Sequence, residues 1–285
     1  WYDLVFDKHA VITKHTVSVN GGTDRLKYFT SLGYTHYDKF TKLAKSNRYN
    51  FLSNITADVT DWLTFRSNVN FVQHSEDNDG GGVVNMHLLT IPSIYVAKQS
   101  DGQWGSYEGG QPAALVNIQR NPLRRLEEGG WSNSTWRNTA INLGFDLKPI
   151  KGLTISGDMG YKIYDYKAKS YTASTSDVND FLTGQPITSS GTAISQSQMT
   201  YTWQETTRLT YNALAKYDFK VNDDHAFNIL LGTAYEHYKY QQNYSYRKNF
   251  PTNTSTDMNG GSSASSDTYA EGGSNENKLM SYFGR

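Results

Sequence analysis

The chain has 285 residues, with 27 Lys plus Arg against 27 Asp plus Glu and no Cys. Zero formal charge excludes the basic excess of a nucleic-acid footprint, and the missing Cys excludes disulfides, thiolate metal sites and a cysteine nucleophile. Mean hydropathy is -0.64, and no run of about 18 apolar residues offers a transmembrane helix, yet 14% of the residues are aromatic, 21 of them Tyr.

The start, "WYDLVFDKHAV", lacks the basic stretch and apolar run of a signal peptide. From there the dominant pattern has period two. "HTVSVN" and "RLKYFTSLGYTHY" flank the turn "GGTD", and "NRYNFLSNITADV" and "LTFRSNVNFVQH" flank "TDW". In "WRNTAINLGFDLK", Ile141, Leu143, Phe145 and Leu147 share one face, opposed by Asn138, Asn142, Gly144 and Asp146. After "KPIKG", Leu153, Ile155, Met159, Tyr161 and Ile163 oppose Thr154, Ser156, Asp158 and Lys162. "ETTRLTYNALAKYDFK" and "HAFNILLGTAYEHYKY" flank "VNDD", and "ENKLMSYFGR" begins one more alternation. The predicted strands are 13–20, 24–37, 47–58, 62–74, 136–148, 152–166, 203–219, 224–240 and 278–285. Most exceed the usual strand of about five or six residues and approach the length that crosses a bilayer at a tilt.

The connections sort by length. Those within hairpins are tight, that at 37–46 is modest, and 75–135, 167–199 and 241–277 are long and rich in Gly, Ser, Thr and Asn. In an antiparallel meander this alternation gathers the short turns at one end of the sheet and the long loops at the other, as in outer-membrane barrels. The predicted fold class is therefore all-β, an antiparallel up-and-down meander forming part of a large transmembrane β-barrel. The alternative is a non-transport outer-membrane protein or a soluble meander that binds glycans or mediates adhesion.

Two further patterns follow from the strand reading. Tyr34, Tyr37, Tyr49, Phe51, Tyr161, Tyr164, Tyr166, Tyr235, Tyr238 and Tyr240 lie toward the long-loop ends, while Trp62 and Phe219 lie near the short turns, which predicts two aromatic girdles. Lys27, Asn50, Asn54, Arg66, Asn68, Asn70, Asn138, Asn142, Asp146, Asp158, Lys162, Arg208 and Asn212 would then point into a polar lumen or against a plug.

Signals of chemistry are poor. The seven His are scattered without metal-ligand spacing, and "GGSSASSD" holds no nucleophile elbow. Asp77 and Asp79 in "SEDNDGGG" lack the spacing and terminal Glu of an EF-hand. Sequons at Asn54, Asn133, Asn243 and Asn253 are expected by chance in an Asn- and Thr-rich chain. No enzyme, cofactor or metal is expected. The first long loop offers a short helix within "VVNMHLLTIPSIYVA" and a helical turn in "NPLRRLEEGG", started by Asn and Pro and stopped by Gly. Its Trp104, Tyr107 and Trp131 are candidates for stacking on sugar rings. A loop packed by its own aromatics accounts for them equally well.

The segments "TVSVNGGTDRLKYFTSLGYTHYDKF", "NRYNFLSNITADVTDWLTFRSNVNF", "NPLRRLEEGG", "LKPIKGLTISGDMGY", "YDFKVNDDHAFNILLGTAYE" and "ENKLMSYFGR" resemble, in order and spacing, successive segments of SusC-like TonB-dependent transporters of Bacteroidetes. The resemblance covers nearly the whole chain. It implies early to middle strands of a barrel of about 22 strands, closed around an N-terminal plug in the bacterial outer membrane. It implies uptake of glycan or peptide cargo, a SusD-like surface lipoprotein as partner, and TonB acting through a plug outside these residues. Nucleic acid is not among the implied partners. An excised set of strands would carry two open edges, which lipid does not tolerate, so the remaining part of the same barrel is an expected partner too.

Overall fold

The structure is a computed structural model that describes residues 1–79, 97–100, 102–104, 121–176, 194–222 and 225–285. A short helix α1 (Tyr2–Val5) precedes β1 (Ile12–Gly22), β2 (Leu26–Asp38), β3 (Lys45–Thr60) and β4 (Leu63–Asp79). Helix α2 (Pro122–Glu128) leads into β5 (Gly130–Ile150), β6 (Leu153–Thr172), β7 (Gln198–Asn222), β8 (His225–Lys248) and β9 (Thr268–Gly284). The strands form one antiparallel sheet in the order β1 to β9, each paired with its neighbours in sequence. β1 and β9 are its edges, so these strands form an open sheet rather than a closed barrel.

The strands run further toward the long-connection end than the sequence pattern predicts. β4 continues to Asp79, β5 starts at Gly130, β7 has 25 residues, and β9 starts at Thr268 instead of 278. The ladder closes through backbone groups, so it continues where both faces are polar and the alternation that reveals a strand is lost. Gln241, Asn243 and Ser245 alternate with Gln242, Tyr244 and Tyr246, and all six pair with β9. The long connections shrink to 80–129, 173–197 and 249–267.

Directly paired residues share a face. One face carries a belt that includes Ile55, Leu143, Met159, Tyr211, Tyr235 and Met280 in a single cross-strand row. The other carries every one of the 13 polar residues expected on a lumen face, from Lys27 to Asn212. The belt does not follow the rows. On β3 it reaches up to Tyr49, whose row runs through Gln73, Arg137, Asp165 and Glu205 to Gln241 on β8. On β8 it stops at Tyr235, six residues lower. With a rise of about 3.3 Å per residue and strands about 4.8 Å apart, six residues over five strand steps is a slope of about 40°. A level belt on strands tilted by about 35–45° produces that slope, and that is the tilt of a barrel wall.

Register also corrects the girdle. Tyr34 and Tyr49 meet at a tilt on the belt face with ring centroids 5.1 Å apart, and Tyr217, Phe219 and Phe227 stack near the short turns at 5.2 and 5.3 Å. Tyr37, Tyr164, Tyr166, Tyr238 and Tyr240 fall on the opposite, polar face. Position along a strand does not reveal the face; parity against the neighbouring strand does.

Candidate functional site: the polar face

Toward the short turns the polar face is an amide and ion-pair floor. Asn142 Nδ2 donates to Asn68 Oδ1 at 3.3 Å, and Asn68 donates in turn to Asn54 Oδ1, a ladder across three strands. Arg66 pairs with Asp146 and, at 3.1 Å, with Asp158, while Ser156 Oγ donates to Asp146 at 2.6 Å. Lys162 and Arg208 lie side by side one row above the amide ladder.

Toward the long connections the same face changes character. Four successive rows cross β5 to β8: Asn138, Tyr164, Thr206 and Tyr240; then Trp136, Tyr166, Gln204 and Gln242. Ser134, Ala168, Thr202 and Tyr244 follow, then Ser132, Ser170, Thr200 and Tyr246. Trp136 lies between His74 and Tyr166, with centroids 5.4 and 5.3 Å away. Tyr246 stacks on Tyr269 of β9 at 5.4 Å, and Tyr244 meets both edge-on. Among the described residues, the hydroxyls of Tyr164, Tyr166, Tyr244 and Tyr246 have no protein hydrogen-bond partner, while Tyr240 donates to Gln242 Oε1 at 2.8 Å. The residues from 241 onward were hidden inside an expected loop, which is why sequence reasoning missed this surface. The one available signal was the odd-even spacing of Tyr240, Tyr244 and Tyr246.

The aromatics singled out in the sequence sit elsewhere. Trp104 packs on a small core of Val5, Leu123 and Leu126, donates to Glu128 at 2.8 Å and carries the Lys98 ammonium 4.2 Å above its ring. Trp131 packs on a second core of Tyr171, Ala173, Met199 and Phe250. The two belong to different clusters, and Tyr107 lies outside the described residues. Asp77 accepts from Asn133 at 2.8 Å and faces Lys45 at 3.7 Å, a cross-strand role. Among the described residues no group of three or more His, Cys, Asp or Glu is arranged to hold a metal.

Both cores are built locally at the long-connection end. The expected helical turn is α2. Asn121 Oδ1 accepts from the Leu123 and Arg124 amides, Pro122 opens the helix, and Gly130 follows it at φ 109°, where a Cβ would stand 1.9 Å from the Tyr171 carbonyl oxygen. The helix predicted within 83–97 lies outside the described residues save Ala97. Buried Arg124 bonds Glu128 and the Ser176 carbonyl at 3.0 and 2.6 Å, tying α2 to the β6–β7 connection. In the β8–β9 connection, hydrogen bonds from Ser262 and Asn249 hold the Asp267 carboxyl below the ordinary carboxylate range. Near the start, a hydrogen bond from Lys8 does the same for Asp3.

No protein-family profile matches the chain. It is 23% identical over 237 residues to TonB-dependent receptor P26 of Formosa agariphila, an alignment covering 83% of this chain and 22% of that protein. It is 29% identical over 160 residues to TonB-dependent receptor SusC of Bacteroides thetaiotaomicron, covering 55% of this chain and 15% of that protein. Its fold matches the RagAB peptide transporter with TM-score 0.69 at 19% identity, and the closed-closed state of the RagAB peptide importer with TM-score 0.71 at 20% identity. In both, 100% of this chain covers 30% of the other. The chain thus spans about a fifth of its curated relatives or less, and those relatives are named as receptors, not as enzymes. By sequence and by fold, the chain is a partial match to the SusC-like TonB-dependent transporters.

Proposed function

We propose that the chain forms part of the barrel wall of a SusC-like TonB-dependent transporter in the bacterial outer membrane, importing glycans or other large nutrients. The observation that carries this reading is the sloped belt. An apolar band crossing the strands at about 40°, backed by a face of amides and ion pairs, suits a wall with lipid on one side and water on the other. The likeness to TonB-dependent receptors supports energy-coupled import over passive diffusion. On this reading the barrel has about 22 strands, and β1 and β9 pair with further strands of the same wall, since lipid leaves no open edge unsatisfied. Outer-membrane lipid meets the belt, a SusD-like lipoprotein covers the long-connection end, and TonB acts through a plug inside. The domain reading is a single barrel-wall unit across residues 1–285.

The test uses the complete protein. It should partition with outer membranes, need detergent for extraction and migrate faster on a gel before heating than after. Nutrient uptake by cells carrying it should stop when TonB is deleted. A water-soluble protein with no heat-dependent migration would sink the barrel, and uptake indifferent to TonB would sink energy coupling.

A further inference from the structure

We propose that the belt side of β8 and β9, just above the belt, is a site for a lipid with an anionic phosphate headgroup, one acyl chain lying in a groove beneath. This rests on the reading that the belt faces lipid. Charge on this side of β5 to β9 begins abruptly. The belt-side positions from Thr139 to Leu147, Leu153 to Ile163, Thr207 to Phe219, Phe227 to Tyr235 and Met280 to Gly284 carry none. Above them stand six cations, Arg137, Lys167, Lys169, Lys239, Arg247 and Lys278, against three carboxylates, Asp165, Glu205 and Glu276. Arg137 and Lys167 share Asp165 at 3.1 and 3.8 Å, Lys169 bonds the Thr256 carbonyl, and Arg247 lies under Gly261 of the β8–β9 connection. On β8 and β9 the balance differs. His237 and Lys278 both bond Glu276 Oε1, at 2.9 and 2.8 Å. Lys239, directly opposite Glu276 in the register, makes no ion pair among the described residues. One carboxylate thus serves an imidazole and two ammonium groups, with Glu205 of β7 at the border of the site.

Immediately below lies an apolar groove of about 460 Å³. It exists because Gly157 and Ala213 supply little bulk between Phe145 and Thr233 in one cross-strand row. Met159, Met280 and the stacked Tyr211 and Tyr235, centroids 6.2 Å apart, bound it in the next row up. Tyr235 and Met280 are in turn the belt-side neighbours of His237 and Lys278. That juxtaposition selects an amphiphile. An acyl chain fills the groove without needing a hydrogen bond. A phosphate presents several anionic oxygens, so it meets Lys239 and Lys278 together through charge-assisted bonds, at the depth where lipid headgroups lie. A neutral headgroup would leave Lys239 without a counter-charge, and a soluble anion would make no use of the groove.

The experiment titrates the complete transporter, purified in a nonionic detergent, and reads bound probe by native mass spectrometry. The probes are lipid A (a phosphorylated glycolipid), lipid A stripped of its phosphates, and inorganic phosphate. Lipid A should bind about tenfold more tightly than its dephosphorylated form, or better. Lys239→Gln and Lys278→Gln should each weaken it about fivefold, the worth of one cation near an anionic lipid surface. Ala213→Phe, which fills the groove, should weaken it about tenfold, as losing about two buried methylenes does. Glu276→Gln removes the competing carboxylate and should tighten binding, whereas Lys220→Gln, near the short turns, should leave it unchanged. Heat-dependent gel migration of each variant separates lost binding from lost folding. Equal binding of the two forms of lipid A, or no loss in a folded variant carrying both Lys239→Gln and Lys278→Gln, overturns the proposal. Inorganic phosphate bound as tightly as lipid A overturns it too, since the site would then serve a soluble anion. A protein that stays soluble without detergent would instead overturn the barrel reading itself.

Discussion

Arg66 on β4 bonds Asp158 on β6 at 3.1 Å, two strands away, because the residue between them on β5 is Gly144. A Cβ built on Gly144 would stand 2.4 Å from Asp158 Oδ1 and 3.0 Å from Arg66 Nη2. The register thus converts a missing side chain into a bridge that staples three strands. Arg66 is 38% exposed and Asp158 50%, so water screens the pair to about 0.5–1 kcal/mol. A double-mutant cycle of Arg66→Gln and Asp158→Asn, read by urea unfolding of the complete barrel, should return a coupling of that size. In a Gly144→Val background the coupling should vanish. An unchanged coupling there would mean that the guanidinium reaches Asp158 by another path.

Leu143 and Asn142 test the two faces with neighbouring residues. Leu143 lies in the belt row with Met159, and Asn142 lies in the amide ladder with Asn68. Leu143→Arg should destabilise the barrel by about 2–4 kcal/mol, the cost of a cation near the bilayer midplane. Asn142→Arg should cost less than half as much, since its charge meets a hydrated face. Folding yield into lipid vesicles under urea measures both, and equal losses would refute the assigned faces.

How much of this was legible in the sequence depends on which faces were apolar. Ile141 to Leu147 declared their strand because one face is greasy and the other is not. That contrast placed Asn54, Asn68 and Asn142 together correctly, since parity on an apolar strand is enough to name the opposite face. Beyond Tyr240 the contrast ends. Gln241 and Gln242 face opposite ways, yet both are polar, so eight further residues of β8 looked like loop. The aromatic upper rows of the polar face were invisible for the same reason, and because Trp136 and Tyr166 become neighbours only through a register that sequence alone does not supply. For Trp104 and Trp131 the sequence left sugar stacking and loop packing equally open, because an aromatic in a loop has no visible partner until the loop folds; in the structure each packs on a small core.

Helix α2 joins three segments, so its cap should control more than its own seven residues. Asn121 serves both the first helical amides and the Ala97 carbonyl, at 2.7 Å. Asn121→Ala should cost about 1 kcal/mol of local stability. Arg124→Ala should cost about 1–3 kcal/mol by removing the charge-assisted bonds of its buried guanidinium to the Ser176 carbonyl and Glu128. Faster amide exchange in α2 and around residue 176, with β5 and β6 unchanged, is the expected signature. Uniform loosening of the sheet would show that α2 is needed for the whole wall.

The β8–β9 connection should behave as a packed cap rather than a slack loop. Phe250 is buried against Tyr171 edge-on at 5.4 Å, and Asn253 exchanges hydrogen bonds with the Ser174 backbone at 3.0 and 2.7 Å. Phe250→Ala should remove about 3 kcal/mol from the cap, and Asn253→Ala about 1 kcal/mol. Limited proteolysis of intact cells should then cut within 249–267, where the parent chain resists. Resistance in both variants would mean that other contacts hold this segment.

Acid should open the same cap from a different side. The Asp267 carboxyl is held below the ordinary carboxylate range by hydrogen bonds from Ser262 and Asn249. A group whose pKa is lower when folded favours the folded state while ionised. Its contribution is complete above the ordinary carboxylate value and disappears as pH falls through the depressed one. Amide exchange in 249–267, corrected for intrinsic rate, should therefore rise between about pH 5 and about pH 3, where carboxylates take up protons. Asp267→Asn removes the titrating group and should flatten that rise while leaving β8 and β9 protected. A rise of the same size in Asp267→Asn would assign the acid response to another group.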